Sequence, residues 1–318
     1  MNSILAKPRS PLERIDLSFA HYVAERKREE GAHMSAGIPD YSFDLDYELR
    51  SKLGRIPHFE ALCRKINATI ETRMQQILNQ GAIAVGPTQY ADIYNMGLDC
   101  ARRLGIGIPN IYISTSSEMN AFTYASDSTS PVIVLYTGII DRMTPGELKC
   151  VIAHECGHIH NRHLVYQRVI QKLLNSGKGA LGVVLSVANI AIMQFWTRAA
   201  EVTADRAALI CADDPQDAVN VQAKLLSGGT INEKFQQEFD INALREQMEM
   251  TFSNPTRVYE VLRDHPSPVR RIFATEEFEK CDIYYRWRPE MLKPGFVPVG
   301  KAEIDERCKK LVNIVSNC

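Results

Sequence analysis

The sequence predicts an α+β fold, mostly helical, with one small β-sheet. Three observations carry that expectation. Strand-like runs of β-branched and aromatic residues, bounded by Ser, Thr, Asp and Gly, lie between positions 111 and 136, apolar residues recur at helical spacing on either side of that interval, and prolines directly after good capping residues mark helix starts along the chain. With 318 residues, 45% of them hydrophobic and 24% charged, there is enough apolar surface for one large domain or two modest ones.

In chain order, Ser10-Pro11-Leu12-Glu13 has the arrangement of a capping box, and Leu12, Ile15, Phe19, Tyr22 and Val23 follow at helical spacing. This predicts an N-terminal helical arm within residues 1–50, broken by Gly, Pro and Asp between Gly31 and Phe43. A main domain over 51–280 begins with helices at Phe59–Leu78 and Thr88–Leu104. Ile111–Ile113 and Pro131–Tyr136 read as strands, with Asn120–Ala125 as a third between them. After Gly138 the period is helical, with turns at Ser176–Gly179 and Gly228-Gly229. Thr144-Pro145-Gly146-Glu147 is a capping box, and Asp214-Pro215, Asn254-Pro255 and Ser267-Pro268 each set an N-cap before Pro. The tail, 281–318, opens on an aromatic run, Tyr284 to Pro289, and ends in a helix from Ala302 to Val315.

Composition excludes some partners. Lys and Arg number 37 against 38 Asp and Glu, so no net field favours nucleic acid. Eight cysteines without a CxxC pair, in a chain of this length, read as reduced thiols. The N-terminus becomes charged before an apolar h-region forms, and a cytoplasmic location is expected. Ala180–Trp196 carries no charge and reaches the short end of a bilayer-spanning length. It contains Ser186, Asn189 and Gln194 and connects two segments assigned below to one site, so a buried core helix is the preferred reading. Peripheral membrane association through 180–196 is the alternative.

The chemistry is concentrated in His154-Glu155-Cys156-Gly157-His158, inside the helix that Thr144 caps. Residues i and i+4 lie roughly 40° apart around a helix of 3.6 residues per turn, so the two imidazoles project from one face and can meet one metal ion. Glu155 is offset from that face. It cannot easily bind the same ion but can reach a water on it, which is the position of a general base. Two surface histidines and a solvated glutamate are the bland alternative. His160 and His163 fall on other sides of a continued helix, so a third ligand has to come from elsewhere.

Glu201 and Asp205 form an i,i+4 acidic pair on a helix whose other positions, including Ala199, Ala200, Val202, Ala204, Ala207 and Ala208, are small or apolar. Carboxylates on a closely packed helix need partners. A metal at Glu201 is one, with Asp205 hydrogen-bonding a ligand imidazole or an arginine; solvation, or salt bridges to Arg198 and Arg206, is the other.

At this point the chain resembles a family, the gluzincin metallopeptidases of family forty-eight, which include the CAAX prenyl endopeptidases, HtpX and soluble relatives. The resemblance runs from about Thr88 to Phe273. It comprises Asn120-Ala121-Phe122, Tyr136 to Ile140, His154 to His158, Glu201 to Asp205, and His265-Pro266 followed by Arg270-Arg271. It implies a zincin-type (gluzincin) domain over 51–280, with one zinc per chain held by His154, His158 and Glu201 and with Asp205 supporting the site. It also implies that Asn120, Ala121 and Phe122 form the edge on which an extended peptide or protein substrate lies by β-augmentation. His265 would stand over the metal, opposite Glu155, as a donor to the tetrahedral intermediate. Arg271 matches the family's arginine after that histidine, and Arg270 is a near alternative. The family's multi-spanning membrane members are a departure, since only Ala180–Trp196 could span here.

The function these residues imply is metalloendopeptidase action, with Glu155 taking a proton from a metal-activated water and returning it to the leaving amine. A zinc-stabilised scaffold, or a latent protease with a covered cleft, is the competing expectation. A purely structural site has no need of Glu155.

Overall fold

The structure, a computed structural model, describes residues 33–35, 37–125, 130–167, 169–170, 187–228, 240, 242–244, 246–247 and 268–312. The expected N-terminal helix at 10–23, the helix start at Asn254-Pro255, the turn at Ser176–Gly179 and His265 lie outside them.

A short hairpin, β1 (Met34–Ser35) and β2 (Ile38–Pro39), leads into α1 (Asp44–Gly54) and the long α2 (Phe59–Gly81). Next come β3 (Ala82–Ala84), α3 (Ala91–Leu104), β4 (Asn110–Ser114), β5 (Ala121–Tyr124) and β6 (Val132–Tyr136). The second half is helical: α4 (Thr137–Ile140), α5 (Pro145–His160), α6 (Val187–Cys211), α7 (Pro215–Ser227), α8 (Pro268–Glu279), α9 (Asp282–Trp287) and α10 (Lys301–Val312). The three expected strands are present. The β1–β2 hairpin was not expected, nor were β3, too short for a period, and α1, whose acidic residues mask its apolar ones.

The sheet has the order β3-β4-β6-β5, with β4 and β6 parallel and both outer pairs antiparallel. Strand alternation divides its residues between two faces. Tyr112, Tyr124, Val132 and Val134 pack with Leu78 and Ala84 on one side. Ile111, Ile113, Ile133 and Leu135 join the main core on the other. Thr123 pairs with Ile133, which places it on the core side. β5 closes the sheet at one edge, so the Ala121-containing strand is an edge strand.

Local signals in the sequence fix the helices around the site. Thr144 and Glu147 close the expected capping box at the start of α5, and Asp214 accepts from Gln216 N at the start of α7. Gly228, at φ 76°, ends α7 in the left-handed region, where a residue with a Cβ is strained. α5 and α6 then pack almost backbone to backbone. A Cβ on Gly157 would lie 2.7 Å from Ala207 Cβ and 3.0 Å from Ala204 Cα. The small residues of α6 are what let it approach the His154–His158 segment so closely.

Of the apolar stretch at 180–196, the described part opens α6. Met193 and Trp196 are fully buried. No described helix is long and apolar enough to cross a membrane.

Residues from both ends of the described chain enter the same core. Tyr41, Phe43, Leu49 and Leu53 lie in it together with Cys281, Tyr284, Ile304 and Cys308. α1 itself runs across residue 50, where the sequence places the end of the arm. Arg206 of α6 is the buried junction between these ends. Its guanidinium lies 5.1 Å from the Phe43 ring and 4.7 Å from the Phe278 ring, donates to Tyr41 O at 3.1 Å, and pairs with Asp305 of α10 at 2.6 Å.

Candidate metal centre

The capped start of α5 sets the phase of the helix that carries His154 and His158. Their Nε2 atoms stand 3.2 Å apart on one face. α6, brought close by Gly157, delivers Glu201 to the same point. Glu201 Oε2 is 3.5 Å from His154 Nε2, and Glu201 Oε1 is 3.6 Å from His158 Nε2. One donor atom from each of the three residues falls within 4.8 Å of the others, and this is the one such cluster among the described residues. Separations of this size are what three ligands at about 2.0–2.2 Å from a common zinc ion would show. The donor set, two imidazoles and a carboxylate, therefore fits the ion in both chemistry and spacing.

The opposite nitrogens of the two rings are each anchored. His154 Nδ1 lies 3.0 Å from Asp205 Oδ1. Asp205, one turn after Glu201, also accepts from Arg271 Nε at 2.7 Å, Arg271 Nη2 at 2.6 Å and Gln222 Nε2 at 3.2 Å. Arg271 Nη1 reaches Glu201 Oε2 at 3.1 Å, so one guanidinium bridges both carboxylates of α6. Burial alone would raise the Asp205 carboxyl, but the adjacent Arg271 lowers it on balance. Burial likewise pushes His154 down, yet the Asp205 and Glu201 carboxylates carry it up to about 9. His158, buried and beside His154, is held well below the usual imidazole value.

His158 Nδ1 is anchored by a residue the sequence reading set aside. α5 ends at His160, Arg162 turns the chain at φ 58°, and His163 folds back so that its Nδ1 lies 2.8 Å from His158 Nδ1. A helix continued to 163 would have carried that ring away. His163 Nε2 is 2.9 Å from Asp46 Oδ2, on α1.

Glu155 turns toward the sheet. Thr123 Oγ1 of the edge strand β5 donates to Glu155 Oε2 at 2.5 Å. Thr123, Gln222 and Asp46 went unnoticed in the sequence, since each depends on a tertiary contact with no local pattern, whereas His163 was placed on the wrong side by extending the helix past His160. Ala121 and Phe122 lie in β5 opposite Leu135 and Val134, and Asn120 O accepts from Tyr136 N at 3.2 Å, which extends the ladder by one residue. Phe122 meets the Tyr136 ring edge-on at 5.7 Å, on the sheet face away from Thr123. Of the two arginines weighed, Arg271 points into the cluster, while Arg270 donates to Leu311 O at 2.6 Å. Arg206 is paired with Asp305 and not with the carboxylates near it in sequence.

Comparison with known proteins bears on the same residues. Residues 87–279 match the sequence model of peptidase family M48. The plastoglobule-localized metallopeptidase 48, chloroplastic, of Arabidopsis thaliana is 28% identical over 259 residues, covering 77% of this chain and 74% of the relative. A protease HtpX homolog of Thermoanaerobacter pseudethanolicus is 37% identical over 90 residues, which is 28% of this chain and 30% of that protein. The crystal structure of S. mikatae Ste24p superposes with a TM-score of 0.40 and 18% identity over 72% of this chain and 61% of that one.

Proposed function

Because the chain belongs to peptidase family M48, and is a metallopeptidase by that membership, we propose that it is a zinc endopeptidase whose metal is held by His154, His158 and Glu201. The observation that carries this reading is the convergence of the three donors with Glu155 directed elsewhere, onto Thr123 of the edge strand.

Each protein group then has a task. Zinc, when bound, supplies Lewis acidity that polarises a carbonyl and brings the pKa of water to about 7. Asp205 holds His154 in place, and Arg271 holds Asp205 and Glu201 and offsets part of their negative charge. Glu155 accepts the proton of the attacking water and delivers it to the departing amine, as one carboxylate can do for both steps. Thr123 fixes the rotamer of Glu155 by its hydrogen bond. Asn120, Ala121 and Phe122 would pair an extended substrate along the outer edge of β5, the last strand of the sheet among the described residues, with peptides or unfolded protein segments as the substrate class. His265, placed by family resemblance, would donate to the oxyanion. A reducing, cytoplasmic setting accords with the described cysteines, all of them free and buried.

The test compares wild type with Glu155→Gln and Glu201→Ala. Wild type should hold about one zinc per chain and hydrolyse an unstructured protein. Glu155→Gln preserves volume but removes the base, so zinc content and melting temperature should hold while hydrolysis falls at least about 100-fold. Glu201→Ala should lose tight zinc binding. Equal hydrolysis by wild type and Glu155→Gln would refute the enzymatic reading, and undiminished zinc binding by Glu201→Ala would refute the ligand set.

A further inference from the structure

The contacts behind His158 form a chain that leaves the metal cluster and ends in the N-terminal part of the fold. His158 Nδ1 meets His163 Nδ1 at 2.8 Å, and His163 Nε2 meets Asp46 Oδ2 at 2.9 Å. His163 is 0% exposed and Asp46 1% exposed. Asp46 is itself pinned to α6, the Glu201 helix: Trp196 Nε1 donates to Oδ1 at 2.9 Å and Thr203 Oγ1 to Oδ2 at 2.8 Å. An unpaired carboxylate would be costly there, and these donors satisfy it.

The protons in this chain can be placed by elimination. A carboxylate accepts only, so the proton between His163 and Asp46 belongs to His163 Nε2. In the neutral ring that leaves His163 Nδ1 as an acceptor, and His158 Nδ1 must carry the proton between the two rings. His158 Nε2 is then left with its lone pair, and this is the nitrogen that faces His154 and Glu201. We infer that Asp46 and His163 are positioning residues that lock His158 in the one tautomer able to bind the metal. This inference rests on the proposed ligand set. A polar group hydrogen-bonded behind a ligand imidazole typically contributes roughly 10- to 100-fold to metal affinity.

Asp46→Asn is the discriminating change. It keeps the volume of the side chain and a carbonyl for Trp196, but it turns an amide donor toward His163 Nε2. His163 must then accept at Nε2 and donate from Nδ1, which forces the proton of His158 onto Nε2, where it blocks the metal. Thr203→Val is the paired control, because it removes another partner of the same Asp46 oxygen and leaves the proton order unchanged. His163→Leu breaks the relay, and His163→Gln preserves one acceptor and one donor at similar reach.

The experiment measures zinc dissociation constants of the full chain by competition with a chromophoric chelator, and melting temperatures in excess chelator as a check on folding. Asp46→Asn and His163→Leu should each weaken zinc roughly 10- to 100-fold, and together no more than the larger single effect, since both act through one chain. Thr203→Val and His163→Gln should stay within about 3-fold of wild type on the same scale. The relay is refuted if Asp46→Asn binds zinc as wild type does, or if Thr203→Val weakens it equally; should Asp46→Asn fail to fold, the contrast between His163→Leu and His163→Gln decides. A wild-type chain that binds no zinc would refute the ligand set instead.

Discussion

Gly157→Ala tests whether the approach of α5 to α6 sets the geometry of the metal cluster. The added methyl would sit 2.7 Å from Ala207 Cβ, 3.0 Å from Ala204 Cα and 3.2 Å from Ala204 O. Carbon pairs rest at about 3.5–4.0 Å, so the helices must separate by about 1 Å. Overpacking of this kind costs about 1–3 kcal/mol. Replacing a helix-interior glycine offsets about 1 kcal/mol of that through propensity. The net, about 0–2 kcal/mol, should lower the melting temperature in chelator by a few degrees, at about 2–4 °C per kcal/mol. The effect on zinc should be larger, because ligand distances tolerate only about 0.2 Å, and Glu201 moves with α6 while His154 and His158 stay on α5. Zinc affinity, measured by chelator competition, should fall at least about 10-fold, and Ala207→Gly added to Gly157→Ala should restore part of it. A variant that melts higher than wild type and binds zinc as tightly would refute the claim that close packing positions the ligands.

Two further outcomes follow from individual contacts. Thr123→Val removes the hydroxyl that holds Glu155, and since hydrogen bonds to charged groups contribute about 1.5–3 kcal/mol, kcat should drop about 10- to 150-fold with zinc content unchanged; Thr123→Ser should recover most of it, and an unchanged kcat in the valine variant would exclude the contact from catalysis. Asp305 is pushed up by burial, but Arg206 and Lys301 bring its carboxyl below its usual range in the folded chain. Its contribution to stability is therefore complete above the unfolded value near pH 3.9 and is lost as pH falls through the lower folded value. Asp305→Asn should be less stable at neutral pH and show a flatter acid limb in urea midpoints measured with chelator between pH 5 and 2; parallel curves for the two forms would rule the pair out.

Much of the site was legible because its signals are local. The capping box at Thr144 fixes a helix, the i,i+4 spacing fixes a face, and the alanines around Glu201 announce a helix that packs closely. Arg271 was legible only through family resemblance, since nothing near it in sequence shows that it bridges Asp205 and Glu201. His163 was misplaced by extrapolating helical geometry past His160, where Arg162 adopts a left-handed backbone that its residue type does not advertise. Asp46 stands in an acidic stretch whose neighbours Asp44 and Glu48 are exposed, yet Asp46 itself faces inward with Leu49 and Leu53. β3 has too few residues for periodicity to register and exists because β4 offers it a partner.

Arg206 makes the fold sensitive to trimming at either end. Its aromatic faces come from Phe43 on one side and Phe278 on the other, and its counter-charge from Asp305. A proteolytic cut that released α10 would remove Asp305 and strand the same guanidinium inside the protein, at a cost of about 3–5 kcal/mol for a buried charge that loses its partner, and one that released residues before 44 would strip away the Phe43 ring and the Tyr41 carbonyl that cover it. The segment that matches the family, 87–279, contains neither Phe43 nor Asp305. Excised by itself, it would keep His154, His158 and Glu201 but leave a bare cation on the helix that presents Glu201. Limited digestion should therefore yield no durable fragment with those limits: clipping at one end loosens the packing that guards the other, and the chain is degraded as a unit.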